Sequence, residues 1–162
     1  ICNDGSLDLA DNRLEKLDFV AAGIHADAGY DFNNKSDNTR VILEAIKNPY
    51  VKMITHPANA SFPVNIEDIV KCAADNDVIL EANASSFYEF RKGYRGDSKM
   101  SIKLCKLSKK YNVPISLNSD AHFHTEVGDI TFLREVIEEA SLTENDVINS
   151  SAEKVLDFLK IN

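Results

Sequence analysis

Short apolar runs alternate with amphipathic stretches along almost the whole chain. Residues 18–25, DFVAAGIH, form an apolar run with a glycine near its end, which predicts a buried strand. In 36–48 cap-type residues come first, and Val41, Ile42, Ala45 and Ile46 then recur at helical spacing. YVKMITH (50–56) predicts a strand stopped by Pro57. NIEDIVKCAADN (65–76) predicts a second helix, with Asn65 as a candidate cap, and DVILEAN (77–83) a third strand. A third helix is expected over 98–111, with Ile102, Leu104, Cys105 and Leu107 inward. VPISLNSDAH (113–122) predicts a fourth strand, followed by helices at about 129–140 and 151–160 and a shorter one near 143–148. No repeat, low-complexity stretch or linker divides the chain.

Strands alternating with helices at this spacing predict βαβ units and a parallel α/β sheet. On such sheets function collects at the C-terminal ends of the strands. The chain has 4 histidines. His25 ends the first predicted strand, His56 the second, and Asp120 and His122 the fourth, with Glu81 and Asn83 ending the third. His124 follows His122 by two positions, and none of the four is expected in a helix.

Composition narrows the class. The 162 residues suffice for one domain with a sizeable core. Apolar residues make up 44% and charged residues 27%, as in globular proteins. The net charge of −8 argues against a nucleic-acid partner, which calls for a basic footprint. A small anionic substrate remains compatible with it, because a bound metal inverts the local field. No apolar run reaches the length of a membrane span, and the polar stretch ICNDGSLDLA, without a basic lead, does not show a signal-peptide pattern. Three cysteines without framework spacing point to a reducing compartment, and so to a cytoplasmic location without disulfides. Cys72 and Cys105 fall on apolar helical faces, as small core hydrophobes do.

Imidazole and carboxylate donors together suit Zn, Mn or Fe. Dispersed one per strand end, they build an open site in which the metal activates water and polarises a phosphoryl or carbonyl oxygen. Each residue alone has a blander reading. His25 is a satisfied buried histidine, His56 punctuates a turn before Pro57, and Asp120 caps a helix. The set at matching strand ends favours a metal site. His124 is expected at the surface or behind the ligands. Arg91, followed by Lys92 in FYEFRKGYRGD, offers a guanidinium fork suited to phosphate, against the alternative of a solvated loop. Asn59, Asn83, Ser85 and Ser86 position substrate or support ligands, against the alternative of hydrogen bonds within turns.

ITHPAN, EANASSF with RKG behind it, and SLNSDAH resemble, in order and spacing, the later motifs of the PHP phosphoesterases. The likeness is greatest to the stand-alone bacterial hydrolases of the YcdX type and runs from AGIH to the C-terminal SSAEKVLDFL. It implies a distorted (β/α)7 barrel with up to three divalent metal ions. It further implies that His25, His56, Asp120 and His122 are ligands: Asp120 to one ion, His25 and His56 to a second, His122 to a third. The implied activity is hydrolysis of phosphomonoesters of small metabolites by a metal-activated water. Arg91, Asn59 and Ser85 would then face the substrate.

The family's early H-x-H pair, the histidines after it and the Glu of a middle strand have no counterpart here. The expectation is therefore a single partial PHP domain over 1–162, the C-terminal portion of the barrel, lacking roughly 75 residues by typical domain lengths. Such a piece is expected to self-associate, to bind the absent segment, or to behave as a loosely packed monomer. Two other readings compete: a non-catalytic metal-binding or scaffold PHP module, and a metal-dependent amide or ester hydrolase on a similar barrel. The latter fits the metals but neither HPxN nor the E-x-N-x-S-S-F block.

Overall fold

In a computed structural model of the chain, residues 1–26, 29–31, 34–87 and 98–161 are described. They form an α/β fold around one four-stranded, all-parallel sheet. The strands are β1 (Ala21–Ala22), β2 (Met53–Ile54), β3 (Ile79–Asn83) and β4 (Ile115–Asn118), adjacent in chain order. After a single turn of helix, α1 (Asp11–Leu14), the longer helices α2 (Lys35–Lys47), α3 (Ile66–Asn76) and α4 (Ser98–Lys110) carry the chain from each strand to the next. Two further helices, α5 (Arg134–Glu139) and α6 (Ala152–Leu159), follow β4. Sequential order with helical crossovers is the simplest way to build a parallel sheet.

Local chemistry explains the helix limits. The Asn34 side chain accepts the Asp37 N–H at 2.9 Å and starts α2. Asn65 stands at the N-cap of α3, but its amide donates to Asp68 Oδ2 at 2.5 Å instead of accepting a backbone N–H. The helix ends on Asp77, whose φ of 53° is left-handed. Val41, Ala45, Ile46, Ile69, Val70 and Ala73 are fully covered and pack with Ile54 and Leu80 in the larger of two core clusters. Ala82, Cys105, Ile115, Leu133 and Val136 form the smaller one. Burial pushes the Cys105 thiol up to about 12, as expected of a core cysteine.

Strand side chains alternate between faces. Ile54, Leu80 and Ile115, which lie in register, join the core clusters. Met53 and Ile79 are buried yet belong to neither cluster, and they share their face with Glu81, Asn83, Ser116 and Asn118. That polar face carries the candidate site.

The structure corrects several boundaries. The strands expected over 18–25 and 50–56 pair over two residues each. The helix expected at 129–140 is a 3-10 turn (Thr131–Leu133) running into α5. No α-helix forms at 143–148. There Val147 makes an isolated parallel bridge to Ile115, whose N–H donates to Asp146 C=O at 3.2 Å. Thr143 donates through both N–H and Oγ1 to Asp146 Oδ2, a side-chain turn that outcompetes the helix. Among the described residues no helix is long and apolar enough to cross a membrane.

Ser108 on α4 is fully buried, and its hydroxyl has no hydrogen-bond partner among the described residues. Leaving such a group unpaired costs on the order of 1–3 kcal/mol. Ser108→Ala should raise the urea midpoint, with a gain of about 1 kcal/mol at unchanged m-value. A loss of more than about 1 kcal/mol would mean that the hydroxyl is satisfied.

Candidate functional site

Parallel pairing in register brings the C-terminal ends of all four strands to one edge of the sheet. His25, His56, Asn83 and Asp120 all stand on that edge. The first two meet directly, with ring centroids 4.8 Å apart and planes at 82°. A Cβ on Gly23 would lie 2.1 Å from Thr55 Oγ1, 3.1 Å from His56 Cε1 and 3.3 Å from His25 Nε2. Only glycine lets the strand end approach the imidazole pair this closely. Thr55 Oγ1 lies 3.3 Å from His56 Nε2 and donates to Ala22 C=O at 3.4 Å, tying the pair to β1. His56 is buried, whereas His25 is exposed and borders a hollow of about 390 Å³ beside β1.

Behind the imidazoles sits Glu81, in the middle of β3 and 4% exposed. Its carboxylate accepts three hydrogen bonds. The His56 N–H donates to Oε2 at 2.7 Å, Asn83 Nδ2 to Oε2 at 3.2 Å, and Asn118 Nδ2 to Oε1 at 2.8 Å. Burial pushes the Glu81 carboxyl above the usual carboxylate range and the Asp120 charge adds to this, while the three donors oppose it. Asn83 Nδ2 also donates to Asp120 Oδ2 at 3.0 Å, and its Oδ1 accepts the Ser86 N–H at 3.0 Å. Asn118 Oδ1 accepts from Ser116 Oγ at 2.8 Å and from Asn149 Nδ2 at 3.2 Å.

His56 and Asp120 both have left-handed backbones, with φ of 35° and 47°. No helix starts at Asp120, so it is not an N-cap. His122 Nδ1 lies 2.9 Å from the Asp120 C=O. A carbonyl only accepts, so Nδ1 carries a proton in this contact. The His122 N–H donates to Glu126 Oε2 at 2.8 Å. His124 is exposed and opens the 3-10 turn His124–Glu126.

The candidate substrate residues divide. Asn59 is buried and serves its own turn, its Oδ1 accepting the Ser61 N–H at 2.9 Å. Ser85 is fully buried in the 3-10 turn Ala84–Phe87 that follows β3. Arg91 and Lys92 lie outside the described residues. Sequence reasoning gave no role to Gly23, Thr55, Asn118, Glu126 or Asn149, and it treated Glu81 only as a strand end. The available signal was polar residues at i and i+2 inside two apolar strands: Glu81 and Asn83 in ILEAN, Ser116 and Asn118 in ISLN.

In donor chemistry the edge offers two touching imidazoles, a hydrogen-bonded carboxylate and a third imidazole whose Nδ1 faces a backbone carbonyl. Among the described residues no three His, Cys, Asp or Glu side chains gather where they could hold an ion by themselves.

The chain is similar over its whole length to known proteins. It is 35% identical over 162 residues to a protein of Syntrophotalea carbinolica, covering 100% of this chain and 66% of the relative. It is 36% identical over 159 residues to one of Caldicellulosiruptor saccharolyticus, covering 98% and 64%. With one of Proteus mirabilis it shares 35% over 156 residues, covering 96% and 62%. Each is named a probable phosphatase. The chain thus spans a little under two thirds of the length of these curated relatives. No family model matches it.

Gly23→Ala should force the imidazoles and Thr55 aside and lower stability by roughly 1–3 kcal/mol, the range of overpacking. Adding Thr55→Ala removes the 2.1 Å neighbour and should recover most of that loss. Equal destabilisation of the single and double variants in chemical melts would show that Thr55 is not the limiting contact.

Proposed function

We propose that the intact protein is a metal-dependent phosphatase that hydrolyses phosphomonoesters of small metabolites. One observation carries this reading. Two imidazoles from neighbouring strand ends touch at the C-terminal edge of a parallel sheet, in a chain similar throughout to proteins named probable phosphatases. The four-stranded sheet is read as part of a distorted (β/α)7 barrel of the PHP type.

The donor set fits Zn, Mn or Fe, which take imidazole nitrogen and carboxylate oxygen together. His25 and His56 would hold one ion between them, Asp120 a second and His122 a third. The His122 ring, with Nδ1 on a backbone carbonyl, has the orientation metal-binding histidines commonly adopt. Further donors would come from the remainder of the intact protein. A divalent ion bound here would polarise a phosphoryl oxygen and lower the pKa of bound water toward ~7.

The chain's own residues do the rest. Asn83 steadies the Asp120 carboxylate by donating to Oδ2. Glu126 holds the backbone of the His122 loop. Arg91 would supply a bidentate guanidinium to the substrate phosphate. Ser85 and Asn59, both buried in turns, would act on the substrate only indirectly, by holding those turns. The acidic net charge suits this division, because positive charge at the phosphate would come from metal and Arg91.

The test is hydrolysis of p-nitrophenyl phosphate by the intact protein after chelator treatment, with Mn²⁺ or Zn²⁺ restored. Asp120→Ala and His56→Ala should each lose at least about 100-fold in turnover. His124→Ala should stay within about threefold of wild type. Metal binding without turnover in the wild type would favour the non-catalytic module. Full turnover by Asp120→Ala would overturn the assignment of ligands.

A further inference from the structure

The donors of the site sit on strands that do not all touch. β1 and β2 are neighbours, whereas β4 lies beyond β3. Something on β3 must therefore set the position of β2's donor relative to β4's. β3 ends without a histidine, but it carries the buried carboxylate of Glu81 and the buried amide of Asn83.

We infer that Glu81 is the positioning residue of this site, holding His56 through its backbone and Asp120 through Asn83. This rests on the reading of the edge as a metal site. The His56 N–H points at Glu81 Oε2 from 2.7 Å, and this bond fixes the peptide at which the chain turns into its left-handed φ of 35°. The direction of the His56 ring, and with it the contact to His25, follows from that turn. The two amide protons of Asn83 are divided between Glu81 Oε2 and Asp120 Oδ2, at 3.2 and 3.0 Å. Its oxygen is taken by Ser86, so the amide cannot flip without losing all of these bonds. On the other side, Asn118 ties Glu81 Oε1 to β4 itself. One carboxylate thus registers two strand ends against each other.

A carboxamide of the same shape cannot do this. Glu81→Gln has one acceptor where the site presents donors on both sides. If its oxygen faces His56 and Asn83, its NH₂ confronts the NH₂ of Asn118. If it turns round, its NH₂ confronts the His56 N–H. Glu81→Asp keeps the charge but is one methylene short of spanning both. A purely structural Glu81 would change the melting temperature and nothing else. A positioning Glu81 also moves the imidazoles and the metal.

The experiment uses Glu81→Gln in the intact protein with three readouts. In the metal-free protein, NMR follows the His56 amide and the nuclear Overhauser contacts between the His25 and His56 rings. Cobalt(II) titration of the visible absorption follows ion binding. Steady-state kinetics follow p-nitrophenyl phosphate. The variant should lose the ring-to-ring contacts and bind Co²⁺ about 10- to 100-fold more weakly. Its kcat should fall by a similar factor, with KM within about threefold. Wild-type ring contacts together with wild-type Co²⁺ affinity would overturn the inference, whatever the melt shows. If Glu81→Gln does not fold, Asn83→Ala decides: weaker Co²⁺ binding with the His25–His56 contacts intact supports the inference, and unchanged Co²⁺ binding overturns it. A wild type that binds no Co²⁺ sinks the metal reading instead. The hold of Glu81 on the imidazole pair is then still decided by the ring contacts of the metal-free protein.

Discussion

A carboxylate buried in the middle of a parallel sheet governs this molecule. β3 is covered along all five of its residues and flanked by strands on both sides, where near-continuous apolar sequence is the rule. Glu81 breaks that rule. A charge placed there without partners would cost several kcal/mol. Three donors meet it, and they come from the turn after β2, from β3 and from β4. Satisfying the carboxylate therefore means holding three strands in one register at the edge where the candidate donors stand. The upward push on its pKa, from burial first and the Asp120 charge after it, records how closely opposed those demands are.

The same demand makes two unusual backbone conformations tenable. His56 and Asp120 have positive φ, a region that costs non-glycine residues roughly 1–3 kcal/mol. Histidine and aspartate are among the side chains that enter it most readily. At His56 the turn is fixed from both sides: its N–H donates to Glu81, and its C=O accepts the Asn59 N–H at 3.0 Å. At Asp120 the carboxylate accepts from Asn83, and the carbonyl accepts from His122 Nδ1. Glycine at either position would relax the backbone but remove a candidate donor, so the strained backbone and the proposed chemistry fall on the same two residues.

How much of this could be read from sequence depended on how local each signal was. α2, α3 and α4 lie within two residues of their expected limits, because their apolar spacing and end residues are local. The strand-end placement of His25, His56 and Asp120 followed from the same alternation. The helix expected near 143–148 failed because Thr143 and Asp146 close a side-chain turn, freeing the following backbone to reach β4. Asn149 was illegible for a related reason. Its side-chain amide accepts the Leu117 N–H at 3.0 Å and donates to the Leu117 C=O at 2.8 Å, standing in for a neighbouring strand at the edge of β4. Nothing about an isolated asparagine announces that use. Glu81 and Asn83 were visible as residues, but their partners lie 25 and 37 positions away in the chain.

Strand spacing explains why the site needs a bridge at all. Neighbouring parallel strands run about 4.8 Å apart, so donors at the ends of adjacent strands fall within reach of each other without help. His25 and His56, just past the ends of β1 and β2, do so at 4.8 Å between ring centres. Donors two strands apart start roughly 10 Å from each other, too far for their side chains to fix one another's position. β3 lies in that gap. A histidine there would add a donor but tie nothing together. A glutamate followed two residues later by an asparagine spans the gap through hydrogen bonds, with its charge satisfied on both sides. The pattern E-x-N on β3, beside strands followed two residues later by His56 and Asp120, is thus what the proposed edge of dispersed donors would ask of the strand that contributes none.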